Sequence, residues 1–199
     1  MAAKAGAAIL GWGSLLWEDH EAFNETHGPW KKDGPLLKIE FSRISSTRLG
    51  ALTLVIDPDH GQETVVSYCL SSRKNLDDTI ADLRCREGTV LNNIGYYIAD
   101  KKQYRCRDQA SLAAITQWAK TKRINSVVWT DLPSNFAKDA GKKFSTECAI
   151  DYIQGLSAEG KVEAAEYIWR APHFVKTPLR AAFETVPWFK REVVTKTSS

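Results

Sequence analysis

The sequence contains no uninterrupted apolar run of the about 18 residues that a membrane-spanning helix requires. Neither sign of charge dominates, because 27 lysines and arginines oppose 24 acidic residues and leave a net charge of +3. No CxxC pair, zinc-site spacing or disulfide framework connects the four cysteines, which are Cys69, Cys85, Cys106 and Cys148. These absences argue against a membrane protein, a metal-stapled domain and a nucleic-acid-binding protein.

The composition is typical of a globular protein, with 43% hydrophobic and 26% charged residues. A length of 199 residues suits one domain. We therefore expect a single domain over residues 1–199, with a helical C-terminal extension over about 135–199. The N-terminus has only a short apolar stretch, so we expect no signal peptide. With four reduced, mostly buried thiols, we expect a cytoplasmic protein.

Hydrophobic spacing predicts alternating strands and helices. The apolar residues before Gly11 predict a buried strand, and residues 51–56 and 63–70 predict two strands paired as a hairpin across an Asp-Pro-Asp-His-Gly turn. Apolar residues at helical spacing after Asn75 predict a helix that ends at Gly88. A strand over 94–98 and further helices follow. This order predicts an α+β fold.

The first segment that could carry chemistry is Gly11-Trp12-Gly13-Ser14-Leu15. Small residues directly after a buried strand can turn successive backbone N–H groups outward, and such a group of donors can hold a carboxylate or an oxyanion. The alternative is a tight turn in which the glycines serve only backbone freedom. The turn by itself favours this alternative.

The second segment is the predicted helix end at Glu87. A carboxylate is unfavourable at the C-terminal end of a helix dipole, and partial burial there would raise its pKa toward the range of a general base. The alternative is a surface glutamate paired with Arg84 or Arg86. Spacing alone does not decide between them.

Together these segments resemble the γ-glutamyl cyclotransferase superfamily. That family has a [Tyr/Phe]-Gly-Ser-Leu loop near the N-terminus. A Glu ahead of a Gly-Tyr strand follows the loop at a spacing similar to that between Leu15 and Glu87 here. Here the loop is Trp12-Gly13-Ser14-Leu15, the acid is Glu87, and Gly95-Tyr96-Tyr97 follows. The segment GWGSLLW is also similar to the loop of the ChaC-type, glutathione-degrading branch. The resemblance covers roughly residues 8–98, and Trp12 departs from it because an indole lacks the phenol hydroxyl.

The resemblance implies a small mixed β-barrel of about five to six strands with surrounding helices. It also implies a lyase activity: the α-amine of a γ-glutamyl amide attacks its own γ-carbonyl, forming 5-oxoproline and releasing an amine. Glu87 would be the general acid and base, and the N–H groups of Gly13, Ser14 and Leu15 would hold the substrate. This reaction requires no metal or organic cofactor.

Further substrate contacts are expected from Trp12, Arg48 and Tyr96. Arg48 would meet a substrate carboxylate, although a solvated or core-bridging role is equally open, and either Tyr96 or Tyr97 would face the pocket by strand alternation. Two rivals remain: a non-catalytic small-ligand-binding or regulatory module of the same fold, and an interaction protein. The expected partner is a small γ-glutamyl substrate, without nucleic acid or membrane. Its leaving group and the oligomeric state stay open.

Overall fold

The computed structural model describes residues 6–189. Its strands are β1 (Ala8–Gly11), β2 (Leu36–Ile44), β3 (Leu52–Ile56), β4 (Gln62–Val65), β5 (Ser67–Leu70), β6 (Ile94–Ile98), β7 (Gln103–Arg105) and β8 (Ser126–Thr130). Its α-helices are α1 (Glu21–Asn24), α2 (Leu76–Arg86), α3 (Gln109–Lys122), α4 (Phe136–Asp139), α5 (Thr146–Gln154), α6 (Ala158–Arg170) and α7 (Pro178–Phe183). The predicted α+β class is confirmed.

The chain divides into two compact units. The first contains the described residues up to Leu37 together with Val65–Leu132. The second contains Lys38–Thr64 and the described residues from Pro133 onward. Within residues 6–189 the strands form one five-stranded and one three-stranded sheet, and no closed barrel is present.

The first unit is built on the five-stranded sheet, in the order β5-β1-β8-β6-β7. β1 is parallel to β8 and antiparallel to β5, while β6 is antiparallel to both β8 and β7. Strand β1 is buried along its whole length, as its apolar run predicts. Because β1 is paired on both sides, the turn that follows Gly11 starts from a fixed position in the sheet.

Helix α2 begins and ends where the sequence predicts. The Asn75 side chain accepts a hydrogen bond from the backbone N–H of Asp78 at 2.8 Å, which caps the first turn. Gly88 follows the helix with φ +55°, a left-handed conformation that glycine adopts without a steric penalty. The apolar face of α2 contributes Ile80 and Leu83 to the core of this unit. The helix thereby fixes the position of its C-terminal cap residue, Glu87.

Gly95, in strand β6, lies opposite Trp129 of strand β8 in the antiparallel register. The Trp129 side chain is completely buried. A Cβ atom on Gly95 would lie 2.7 Å from Cζ2 of the indole and closer still to Cε2 and Nε1. Glycine is required here because the indole packs directly against its backbone.

Replacing Gly95 by alanine is expected to lower the free energy of unfolding by about 1–3 kcal/mol, the usual cost of overpacking a core. The rigid indole of Trp129 has to move to accommodate the methyl group. Urea unfolding of wild type and Gly95→Ala measures this loss. Gly28→Ala is the control, because the nearest atom to its added Cβ is 3.8 Å away. Equal destabilisation by both substitutions would contradict the explanation.

The second unit combines the three-stranded sheet, in the order β3-β2-β4, with helices α4 to α7. β2 and β3 are antiparallel and are joined by the turn that contains Arg48. The side chain of Asn135 accepts a hydrogen bond from Ile44 N–H and donates one to Ile44 C=O, at 2.7 and 3.0 Å. This amide ties the end of β2 to the start of α4.

The predicted hairpin between residues 51–56 and 63–70 is wrong. The second segment is two strands, since β4 lies beside β2 whereas β5 pairs with β1. The chain breaks between them at Val66, whose N–H donates to the carbonyl of Pro35 at 3.0 Å. Both halves have residues typical of strands, so only the choice of distant partner separates them.

No helix within residues 6–189 is long and apolar enough to cross a bilayer. The same residues contain no group of three or more His, Cys, Asp or Glu side chains able to hold a metal ion. The four cysteines are free thiols. Cys69 is buried and Cys85 is exposed, so the expectation of mostly buried thiols is only partly met.

Candidate functional site

The Gly-Ser-Leu segment forms a short 3-10 turn over Ser14–Leu16, directly after β1. Its first hydrogen bond runs from Leu16 N–H to the carbonyl of Gly13, at 3.0 Å. The N–H groups of Ser14 and Leu15 precede that bond and therefore have no acceptor inside the turn. The donors proposed for substrate binding are thus not used by the turn itself.

The two glycines of the motif occupy structurally different environments. Gly13 has φ −116°, so it does not require the left-handed region that only glycine enters freely. Gly11 is needed for close packing, because an added Cβ would lie 2.8 Å from two ring atoms of Trp30. The turn conformation therefore does not depend on glycine freedom at Gly11 or Gly13.

The turn is anchored by apolar side chains. Trp12 is only 5% exposed, so its indole packs in the interior. Leu15 belongs to a buried cluster that includes Leu83 of helix α2 and Ile94 of strand β6. The side chain of Leu15 thus points inward while its N–H group lies at the start of the turn. This cluster joins the turn to the helix that ends at Glu87.

Glu87 is the C-terminal cap residue of α2, and its N–H donates to the carbonyl of Leu83 at 3.0 Å. Its side chain is 18% exposed, so the carboxylate is largely withdrawn from solvent. Nη1 of Arg86 lies 4.0 Å from its Oε1, a long distance for an ion pair. Glu87 is therefore neither fully exposed nor in a close ion pair with that arginine.

Arg86 bridges the two predicted segments. Its Nη2 donates to the carbonyl of Ser14 at 3.3 Å and to Oε2 of Glu18 at 3.1 Å. The motif turn and the end of α2 are consequently neighbours within the first unit. The sequence predicts Arg86 only as a possible ion-pair partner of a surface Glu87, and it does not predict the role of Glu18. An arginine immediately before the candidate acid was the available signal.

Tyr96 also lies in the first unit, on β6. It is half-buried and packs against the same apolar cluster as Leu15. The guanidinium of Arg105 lies 5.1 Å from the centre of its ring, within the range of a cation–π contact. The predicted role of Tyr96 in substrate binding stays a prediction.

Arg48 belongs to the second unit. Its guanidinium lies 5.1 Å from the centre of the Tyr167 ring, and its Nη1 lies 4.0 Å from Oε2 of Glu163. These contacts attach the turn between β2 and β3 to helix α6. The expected contact of Arg48 with a substrate carboxylate stays a prediction.

Comparison with known proteins adds no relative. Neither a family model, nor a curated protein, nor a solved structure matches the chain. The likeness to γ-glutamyl cyclotransferases therefore rests on Trp12–Leu15, on Glu87 and on the Gly95-Tyr96-Tyr97 strand.

Proposed function

We propose that the protein is a γ-glutamyl cyclotransferase-like enzyme that releases 5-oxoproline from a γ-glutamyl amide or peptide. The reaction is an intramolecular acyl transfer, formally a lyase reaction. The substrate contains its own nucleophile, so the enzyme has to fold the chain, stabilise charge and move protons. No metal or organic cofactor takes part in the proposed reaction.

The proton transfers balance with one carboxylate. Glu87 takes a proton from the α-ammonium group, and the resulting amine attacks the γ-carbonyl carbon. A C–N bond to the α-nitrogen forms and the C–N bond to the leaving amine breaks. Glu87 then returns its proton to the departing nitrogen, takes the second proton that the α-nitrogen loses on becoming the lactam N–H, and passes it to the released amine, which leaves as an ammonium. Because nucleophile and carbonyl belong to one molecule, holding them in the closed geometry removes most of the entropic cost.

The observation that carries the proposal is the contact of Arg86 with the carbonyl of Ser14, 3.3 Å from its Nη2. It makes neighbours of two segments that are far apart in sequence and that the resemblance assigns to a single site. The limited exposure of Glu87 supports the same assignment, because a largely desolvated carboxylate suits a proton-transfer role.

Other parts of the proposal come from the resemblance alone. They are the substrate contacts from Trp12, Arg48 and Tyr96. The cytoplasmic location is proposed from the reduced thiols. The leaving group is open, since glutathione, other γ-glutamyl peptides, γ-glutamyl-ε-lysine and γ-glutamylated antibiotic intermediates share the reacting half.

The test is to incubate the purified protein with a panel of γ-glutamyl compounds and to measure 5-oxoproline by mass spectrometry. We expect release from at least one member. An α-linked glutamyl dipeptide is the matched control, because its scissile amide is not the γ-carbonyl amide, and it should give no enzymatic release. Absence of release from every member, with the protein folded, would favour a binding module and make Trp12 the next residue to study.

A further inference from the structure

We propose that Arg86 is a positioning residue of this site, which acts by polarising the Ser14–Leu15 peptide and by holding the turn beside Glu87. The inference rests on the proposed function for its catalytic consequence. Its structural part concerns the hydrogen bonds of the turn and can be tested without activity. Neither the motif nor the resemblance assigns Arg86 a role.

Burial is the first reason to assign Arg86 a specific task. Its side chain is only 9% exposed. Taking a guanidinium out of water is costly unless its donors are paired. Packing does not demand the charge, because Leu15 and Leu83 already join the turn to α2 through the apolar cluster. The arginine is therefore explained by what its donors contact.

Those contacts converge on one carbonyl. The oxygen of Ser14 accepts from the N–H groups of Glu18 and Trp17, at 2.9 and 3.2 Å, and from Nη2 of Arg86 at 3.3 Å. A carbonyl oxygen has two lone pairs and usually accepts two hydrogen bonds. Here it has three donors, one of which is cationic. The three donors therefore increase the partial negative charge on the oxygen of this peptide.

The other end of the same peptide is the N–H of Leu15. Donors on a carbonyl oxygen withdraw electrons from the attached nitrogen, and hydrogen bonds in a chain strengthen one another in this way. Arg86 therefore makes the Leu15 N–H a stronger donor toward the substrate. The Leu15 N–H is one of the three assigned above to substrate binding.

Glu18 orients the guanidinium. Its Oε2 accepts from the same Nη2 that donates to Ser14, so the two hydrogens of that nitrogen have one acceptor each. The remaining terminal nitrogen, Nη1, lies 4.0 Å from Oε1 of Glu87. One planar group thus holds the turn and lies beside the proposed acid–base residue. A lysine offers only a point charge and cannot reproduce this geometry.

The test compares wild type with Arg86→Gln and Glu18→Gln, with Arg84→Gln as the matched control. Arg84 lies on the same helix but is exposed. The first measurement is the amide proton resonance of Leu15 in ¹H–¹⁵N spectra of the full chain. We expect an upfield shift in Arg86→Gln, a smaller one in Glu18→Gln and none in the control. Glu18→Gln retains the arginine and keeps the test available if Arg86→Gln does not fold.

The second measurement is kcat/KM on a γ-glutamyl substrate from the panel. Removing a whole oxyanion donor costs about 10²–10³-fold. Weakening one donor in Arg86→Gln should cost about tenfold, and Arg86→Lys should not restore the rate. An unshifted Leu15 amide in both variants, or a lysine with full activity, would overturn the inference while leaving the proposed function intact. An inactive wild type would defeat the proposed function, yet the Leu15 resonance would still decide how Arg86 acts.

Discussion

Glu87→Gln is expected to reduce 5-oxoproline release by about 10²–10⁴-fold, the usual contribution of general acid–base catalysis. Glutamine has nearly the same shape, but its amide neither takes the proton of the α-ammonium group nor returns one to the leaving amine. The measurement is initial rate against substrate concentration. We expect the loss mainly in kcat, because the residue acts on protons that move during the reaction.

Glu25→Gln is the matched control for this substitution. Glu25 is also the C-terminal cap residue of a helix in the first unit, at the end of α1, but it is exposed. Its replacement should leave the rate unchanged. If Glu87→Gln retained the wild-type rate and fold, Glu87 would not be the acid–base residue.

Local sequence signals predicted the elements around the candidate site well. Asn75 caps α2 and Gly88 follows its end, since each sequence signal depends on atoms only a few residues away. The strand before Gly11 is likewise defined by its own apolar run. Structural features that depend only on residues nearby in the chain can therefore be predicted from the sequence.

Pairing between distant segments could not be read in the same way. β4 and β5 are almost consecutive, yet they pair with β2 and β1 respectively. Strand propensity indicates that a segment is extended, but which strand it pairs with depends on the packing of the whole unit. Strand β7 was not predicted because its three residues are too few to show a periodic pattern.

The candidate site follows the same rule. Its motif residues and Glu87 are identifiable from sequence because the resemblance depends on residue types in order. The bridge from Arg86 to Ser14 and Glu18 joins positions about seventy residues apart, and only the folded chain brings them together. Gly95 also acquires its explanation only when Trp129 is seen against it. The sequence identifies chemistry-bearing residues but not the side chains that orient them.

A second large effect is expected from Glu40, in the second unit. This residue of β2 is completely buried, and Phe41 N–H donates to its Oε1 at 2.7 Å. Burial raises the pKa of Glu40 from 4.5 to about 7, although the Thr177 hydroxyl and the Phe41 N–H favour the charged form. The negative charge of Asp57 raises this pKa further. Glu40 thus binds its proton more tightly in the folded protein than in the unfolded chain.

The contribution of Glu40 to stability decreases as the pH rises. Below the unfolded pKa of 4.5 the carboxyl is protonated in both states, and its contribution to stability is fully present. As the pH rises to about 7 the unfolded chain ionises first, so stability falls. Each tenfold change in proton affinity corresponds to about 1.4 kcal/mol, which gives a total on the order of 3 kcal/mol. The wild type should lose about 2–3 kcal/mol between a pH of about 5 and one of about 8 through Glu40 alone.

Glu40→Gln removes this titration while keeping an oxygen that accepts from Phe41 N–H. Urea unfolding across that pH range should therefore show a flatter profile for the variant, which at the alkaline end should be more stable than wild type. Glu63→Gln, at an exposed position of β4 in the same sheet, should keep the wild-type slope. Asp131, whose pKa burial also raises, is unchanged in both proteins and cancels in the comparison. An equal slope for Glu40→Gln and wild type would mean that Glu40 is already ionised in the fold near neutral pH.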